Sequence, residues 1–155
     1  MKISGIIYDS IVDGEGIRNT IFFSGCCHYC KGCHNPEIWD KNYGYEFTRE
    51  LQDEFINKCK NNVLLDGITL SGGDPMYISI EIVSFIKKFK SECPNLDIWV
   101  YSGFTYEDIL QDKDMNELLK LCDVLVDGVF IEELRDTTIK FRGSTNQRII
   151  KLGDE

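Results

Sequence analysis

Two hydrophobic periods alternate along this chain. Short β-branched and aromatic runs are separated by stretches whose apolar positions recur at helical spacing. Residues 20–24 (TIFFS) read as a buried strand that ends at Gly25 and feeds a loop. Across 48–60, Leu51, Phe55, Ile56 and Cys59 share one helical face, and Thr48 is available as an N-cap. Residues 67–71 (GITLS) are a second strand, stopped by Gly72-Gly73. From about 78 to 90, Ile82, Phe85, Ile86 and Phe89 follow helical spacing, and Pro94 closes the segment. Residues 97–101 (DIWVY) form a third strand, ended by Ser102-Gly103. Thr105 with Asp108, and Asp114 with Glu117, have the form of capping boxes, so the stretch to about 121 holds one broken helix or two short ones. Residues 124–126 give a fourth strand ended by Asp127-Gly128, and 148–152 (RIIKL) a last one.

Four strand-then-helix units imply an α/β fold with mostly parallel strands, because parallel neighbours need long connections and these are usually right-handed helices. The length, 155 residues, suits a single domain over 1–155. With 43% hydrophobic and 28% charged residues, there is material for a real core, which excludes disorder, collagen and coiled coil. Seventeen basic against 26 acidic residues give −9, which argues against nucleic acid or anionic lipid as a partner. No apolar run reaches the roughly 20 residues needed to span a bilayer. The first residues lack the charged, apolar and small-residue regions of a secretory signal.

The seven cysteines change the picture. Four lie within 26–33 (CCHYCKGC), which is no disulfide framework and points to metal or redox chemistry in a reducing, cytoplasmic compartment. Cys26, Cys30 and Cys33 form C-x3-C-x2-C. Three thiolates on one loop can hold three corners of a four-iron cluster and leave one iron open to chemistry. The alternative is a structural zinc site completed by Cys27, His28 or His34, although zinc usually takes a second ligand pair far downstream. Cys59, Cys93 and Cys122 are single thiols in or beside helical segments and read as core residues. The cysteine loop, Gly72-Gly73-Asp74-Pro75, Ser102-Gly103 and Asp127-Gly128 all follow strands. That is the sheet edge where loops converge on ligands.

The cysteine triplet after a first strand, followed by a Gly-Gly-acid-Pro turn after the second, resembles the radical S-adenosylmethionine (SAM) superfamily. Further blocks narrow the likeness: 12–18 (VDGEGIR), 32–39 (GCHNPEIW), 70–75 (LSGGDP), 98–104 (IWVYSGF), 125–128 (LVDG) and 141–148 (FRGSTNQR). Together they resemble the glycyl-radical activases of anaerobic ribonucleoside-triphosphate reductase from about residue 8 to residue 152. The resemblance implies an incomplete open β/α barrel with a [4Fe-4S] cluster on Cys26, Cys30 and Cys33 and S-adenosyl-L-methionine on the fourth iron. Gly32, Cys33 and His34 would run beside the adenine, while Gly72, Gly73 and Asp74 would approach the methionine amino group. The expected partners are the large subunit of the reductase and a low-potential electron donor such as flavodoxin.

Several residues have plainer readings. Gly72-Gly73-Asp74-Pro75 by itself is a common turn. Asp127 either ends a strand or binds a ribose hydroxyl or an amine. His34 orders its loop or touches the cofactor, and Arg142 and Asn146 face the cofactor, the partner or solvent. Trp39 and Trp99 read as packing residues. Gly14 and Gly16 read as a turn into the first strand, and Cys27 as pointing away from the cluster. Three rival functions stand beside the activase: an activase of another glycyl-radical enzyme, a simple iron–sulfur electron carrier and a zinc-stabilised binding module. The carrier gains nothing from an open iron or from glycine turns on neighbouring strands.

Overall fold

The structure is a computed structural model and describes residues 1–153. Its strands are β1 (Lys2–Ser10), β2 (Arg18–Phe23), β3 (Tyr45–Glu46), β4 (Gly67–Gly72), β5 (Asp97–Tyr101), β6 (Val124–Asp127) and β7 (Arg148–Lys151). Its α-helices are α1 (Arg49–Asn61), α2 (Ser79–Glu92), α3 (Tyr106–Gln111) and α4 (Lys113–Leu119). All seven strands join one sheet in the order β3-β1-β2-β4-β5-β6-β7. The α/β reading holds, and β2, β4, β5 and β6 form the expected parallel set. The sheet is nonetheless mixed rather than mostly parallel, since β1 pairs antiparallel with β2 and β3, and β7 with β6. The cause is connection length at one edge: residues 11–17 between β1 and β2 are too few for a crossover helix, so the chain reverses.

Alternation along the parallel strands sorts side chains onto two faces. Ile21, Phe23, Ile68, Leu70, Ile98 and Val100 are all fully buried in one cluster with Phe55 of α1 and Phe85 and Phe89 of α2. Burying each such side chain stabilises the fold by roughly 1.5 to 3 kcal/mol. Two helix starts follow the sequence: Thr48 Oγ1 accepts from Leu51 N–H and Thr105 Oγ1 from Asp108 N–H, each at 3.2 Å. For α4 the cap is Asp112 rather than Asp114. Its Oδ1 accepts from Asp114 and Met115 N–H, both at 2.9 Å, and so separates the two short helices.

The opposite face carries Thr20, Thr69, Trp99 and Tyr101, with the fully buried Arg18 at its base. Arg18 donates to Thr69 Oγ1 and Glu15 O at 2.8 Å, to Ile68 O at 2.7 Å and to Asp97 Oδ1 at 2.5 Å. A buried guanidinium is tolerated only when its donors are matched in this way. It ties Glu15 to β4 and β5, while Asp13 is held by Thr20 and Thr69. Among the described residues no helix is long and apolar enough to cross a membrane.

Candidate functional site

The cysteine loop leaves β2 through Ser24 and Gly25 and is held from two sides. On one, Gly25 N–H donates to Ile38 O at 2.8 Å and Cys26 N–H to Trp39 O at 3.1 Å. On the other, Gly73 N–H donates to Phe23 O and Asp74 N–H to Gly25 O, both at 2.8 Å. Gly73 is required by this contact, because a Cβ there would stand 2.5 Å from Gly25 O and 2.9 Å from Gly25 C. The two loops therefore meet backbone to backbone, and the cysteines are registered on the end of β4.

Loops from all four parallel strands close on one cavity of about 310 Å³. Cys26, Cys30 and Cys33 line it together with Gly72-Gly73, Ser102-Gly103 and Gly128. His34 is also in the lining, whereas Gly32, Asp74, Asp127 and Cys27 are not. Trp39, Phe130 and Phe141 give it apolar walls, and Trp39 is thus more than a packing residue. Trp99 does pack, edge-on to Phe141 at 5.4 Å and beneath the Arg18 guanidinium. A second recess, about 500 Å³, shares His28, Gly103, Gly128 and Val129 with the first and reaches Arg148 and Glu107.

The donor set suits an iron–sulfur cluster: three sulfurs from one short loop and no carboxylate in the lining. Among the described residues no three His, Cys, Asp or Glu side chains are grouped to hold a single metal ion. Burial pushes the Cys26 thiol up to about 11, the His28 backbone N–H pulls it down, and the Asp74 carboxylate raises it further. Burial also raises Cys30, against the Phe130 backbone N–H. Both shifts favour the protonated thiol, and a metal that binds thiolate has to displace those protons.

Two expected cofactor contacts, Asp74 and Asp127, are engaged by the protein itself. Asp74 is fully buried, with Oδ1 accepting from Met76 N–H at 2.9 Å and Oδ2 accepting from His28, Ser102 and Gly103. Asp127 is 1% exposed and accepts from Arg148 Nε at 3.0 Å, Arg148 Nη2 at 2.5 Å and Tyr106 N–H at 2.7 Å. Arg148 continues to Glu107 Oε1 at 2.8 Å, so this chain of charges ties β6 and β7 to the start of α3. Arg142 bonds weakly to Lys140 O and Gln147 O within its own segment. Asn146 donates to Val129 O at 2.8 Å while its Oδ1 is buried without a partner.

Sequence reasoning passed over Gln147 and weighed His28 only as a zinc ligand. Gln147 clips the irregular segment between β6 and β7 over the cavity, donating to Gly128 O at 2.9 Å and accepting from Gly143 N–H at 2.8 Å. No local pattern marks such a clip. The place of His28 between two cysteines of the triplet was the available signal for that residue.

Comparison with known proteins agrees with this donor set. The chain matches the 4Fe-4S single cluster domain family over residues 12–150. It is 41% identical over 142 residues to the anaerobic ribonucleoside-triphosphate reductase-activating protein of Haemophilus influenzae, covering 90% of each chain. The Escherichia coli protein of the same name is 39% identical over 145 residues, 92% of this chain and 93% of that one. That of Enterobacteria phage T4 is 37% identical over 140 residues, 89% and 86% of the two chains.

Proposed function

Because the chain belongs to the 4Fe-4S single cluster domain family and, within it, to the anaerobic ribonucleoside-triphosphate reductase-activating proteins, we propose that it activates such a reductase by radical SAM chemistry. The observation that carries this reading is the convergence of Cys26, Cys30 and Cys33 with Gly72-Gly73 and Ser102-Gly103 on one cavity. In this reading the sheet, helical on one face and open on the other, is an incomplete β/α barrel. Cys26, Cys30 and Cys33 ligate the [4Fe-4S] cluster, and Gly32, Cys33, His34, Gly72 and Gly73 border S-adenosyl-L-methionine. When loaded, the site would supply one-electron reductive cleavage of S-adenosyl-L-methionine, the reduced cluster giving the electron and methionine leaving, and so hydrogen abstraction from a glycine of the reductase large subunit to give 5′-deoxyadenosine.

The chain's own residues bind, orient and shield. Three thiols fix three irons and leave the fourth free for the cofactor. Gly72 and Gly73 present backbone rather than side chain where the cofactor's methionine end is expected. Asp74 and Asp127 act from behind, fixing the loops that form the cavity. Trp39, Phe130 and Phe141 keep the site apolar, which limits water and stray hydrogen donors. A low-potential carrier such as flavodoxin is the electron donor in this scheme.

The test is anaerobic. Protein reconstituted with iron and sulfide is reduced with dithionite and given S-adenosyl-L-methionine, and 5′-deoxyadenosine is sought by chromatography. Brown protein that forms it is expected. Colourless protein that holds one zinc and forms none contradicts the proposal.

A further inference from the structure

One buried oxygen joins three of the four loops around the cavity. Asp74 Oδ2 accepts from His28 Nε2 at 2.5 Å, Ser102 Oγ at 3.0 Å and Gly103 N–H at 2.8 Å. With Met76 N–H on Oδ1, four donors meet a group that offers about four acceptor sites. Oδ2 is therefore saturated by the protein, and the carboxylate is fully buried outside the cavity lining, away from a cofactor ammonium. His28 is equally constrained. Its ring lies on Gly103, where a Cβ would come within 2.5 Å of it, and meets the Phe104 ring edge-on at 4.6 Å. The same residue stands between Cys26 and Cys30 in the chain.

We propose that His28 is a positioning residue: clamped by Asp74 and seated on Gly103 and Phe104, it fixes the Cys26–Cys30 arc above the Gly72-Gly73 edge. Asp74 then acts on the cofactor through His28 and not by contact. The inference rests on the cluster and SAM reading given above. The clamp lies beside the expected cluster, where groups behind the ligands tune potential as well as geometry. Sequence alone offers two roles for these residues, zinc ligand for His28 and ammonium acceptor for Asp74. In the proposal one internal bond between them takes the place of both.

The experiment compares wild type, His28→Phe and His28→Gln after anaerobic reconstitution. Phenylalanine keeps the ring against Gly103 and Phe104 but removes the donor, while the glutamine amide can reach the same oxygen. Read out are iron and sulfide per chain, the electron paramagnetic resonance spectrum of the reduced cluster with and without S-adenosyl-L-methionine, the midpoint potential, and cofactor affinity by equilibrium dialysis. In His28→Phe we expect iron retained on three cysteines, an altered spectrum, a shifted potential and cofactor binding weakened on the order of tenfold. His28→Gln should return towards wild type on all three. A His28→Phe protein with wild-type spectrum, potential and affinity overturns the inference, as does a glutamine variant no closer to wild type than phenylalanine. Wild type that assembles no four-iron cluster overturns the proposed function and this inference together. Wild type that assembles it beside an indistinguishable variant overturns the inference alone.

Discussion

Gly73→Ala isolates the contact on which the site depends. Gly73 does not occupy the left-handed region, so alanine meets no backbone strain there and its whole effect is steric. The new methyl would lie 2.5, 2.9 and 3.2 Å from the O, C and N of Gly25, all of them backbone atoms that cannot swing aside. The β4 loop must then move off the cysteine loop, breaking the buried Asp74 N–H to Gly25 O bond of 2.8 Å. Losing that bond costs about 1 to 3 kcal/mol and overpacking about as much again, together about 2 to 6 kcal/mol. This is a large part of the roughly 5 to 15 kcal/mol that holds a domain folded, and it corresponds to a fall in Tm of about 5 to 20 °C. Gly5→Ala is the control, because a Cβ there meets nothing within 4 Å, and its reduced unfolded-state freedom should be neutral or stabilise by about 0.5 to 1 kcal/mol. Thermal unfolding of the metal-free proteins by circular dichroism decides the matter, with iron per chain measured after reconstitution. A Gly73→Ala protein that unfolds with wild type and takes up full iron would refute the close contact and the registry built on it.

Cys30→Ser should lose reconstituted iron while Cys27→Ser keeps it, since Cys30 lines the cavity and Cys27 does not; equal losses on iron analysis would overturn the ligand assignment. Burial pushes the Cys59 thiol from 9.0 up to about 12, so the folded protein keeps a proton that the unfolded chain releases. Its contribution is therefore complete below pH 9 and is lost as pH rises from 9 through about 12. Urea midpoints of reduced, metal-free protein should fall over that window, and Cys59→Ala should flatten the fall.

The legible elements share one property: their signal is local. Strands β2, β4, β5 and β6 are short apolar runs ended by glycine or a turn, and Thr48 and Thr105 cap their helices through bonds three residues long. β1 was missed because register shifts at Ile3/Gly5 and Ile7/Ser10 break its period of two, leaving a burial pattern with no clean alternation. β3, of two residues, is too short to leave a pattern. At the site, the cysteine triplet and the glycine turns are contiguous motifs and could be read directly. The partners of the acids could not, because His28 and Asp74 are 46 residues apart and Asp127 and Arg148 21 apart, and only the fold decides what fills a carboxylate's acceptor sites. Residue type says that Asp74 accepts, but not from which donor.

The most direct measurement of the central claim is electron paramagnetic resonance of the reductase large subunit after anaerobic incubation with the reconstituted protein, reductant and S-adenosyl-L-methionine. The account predicts a glycine-centred radical on the reductase that is absent without the cofactor and absent with the Cys30→Ser protein. Cleavage of S-adenosyl-L-methionine with no radical on the reductase, or a radical that forms equally well with Cys30→Ser, would contradict it.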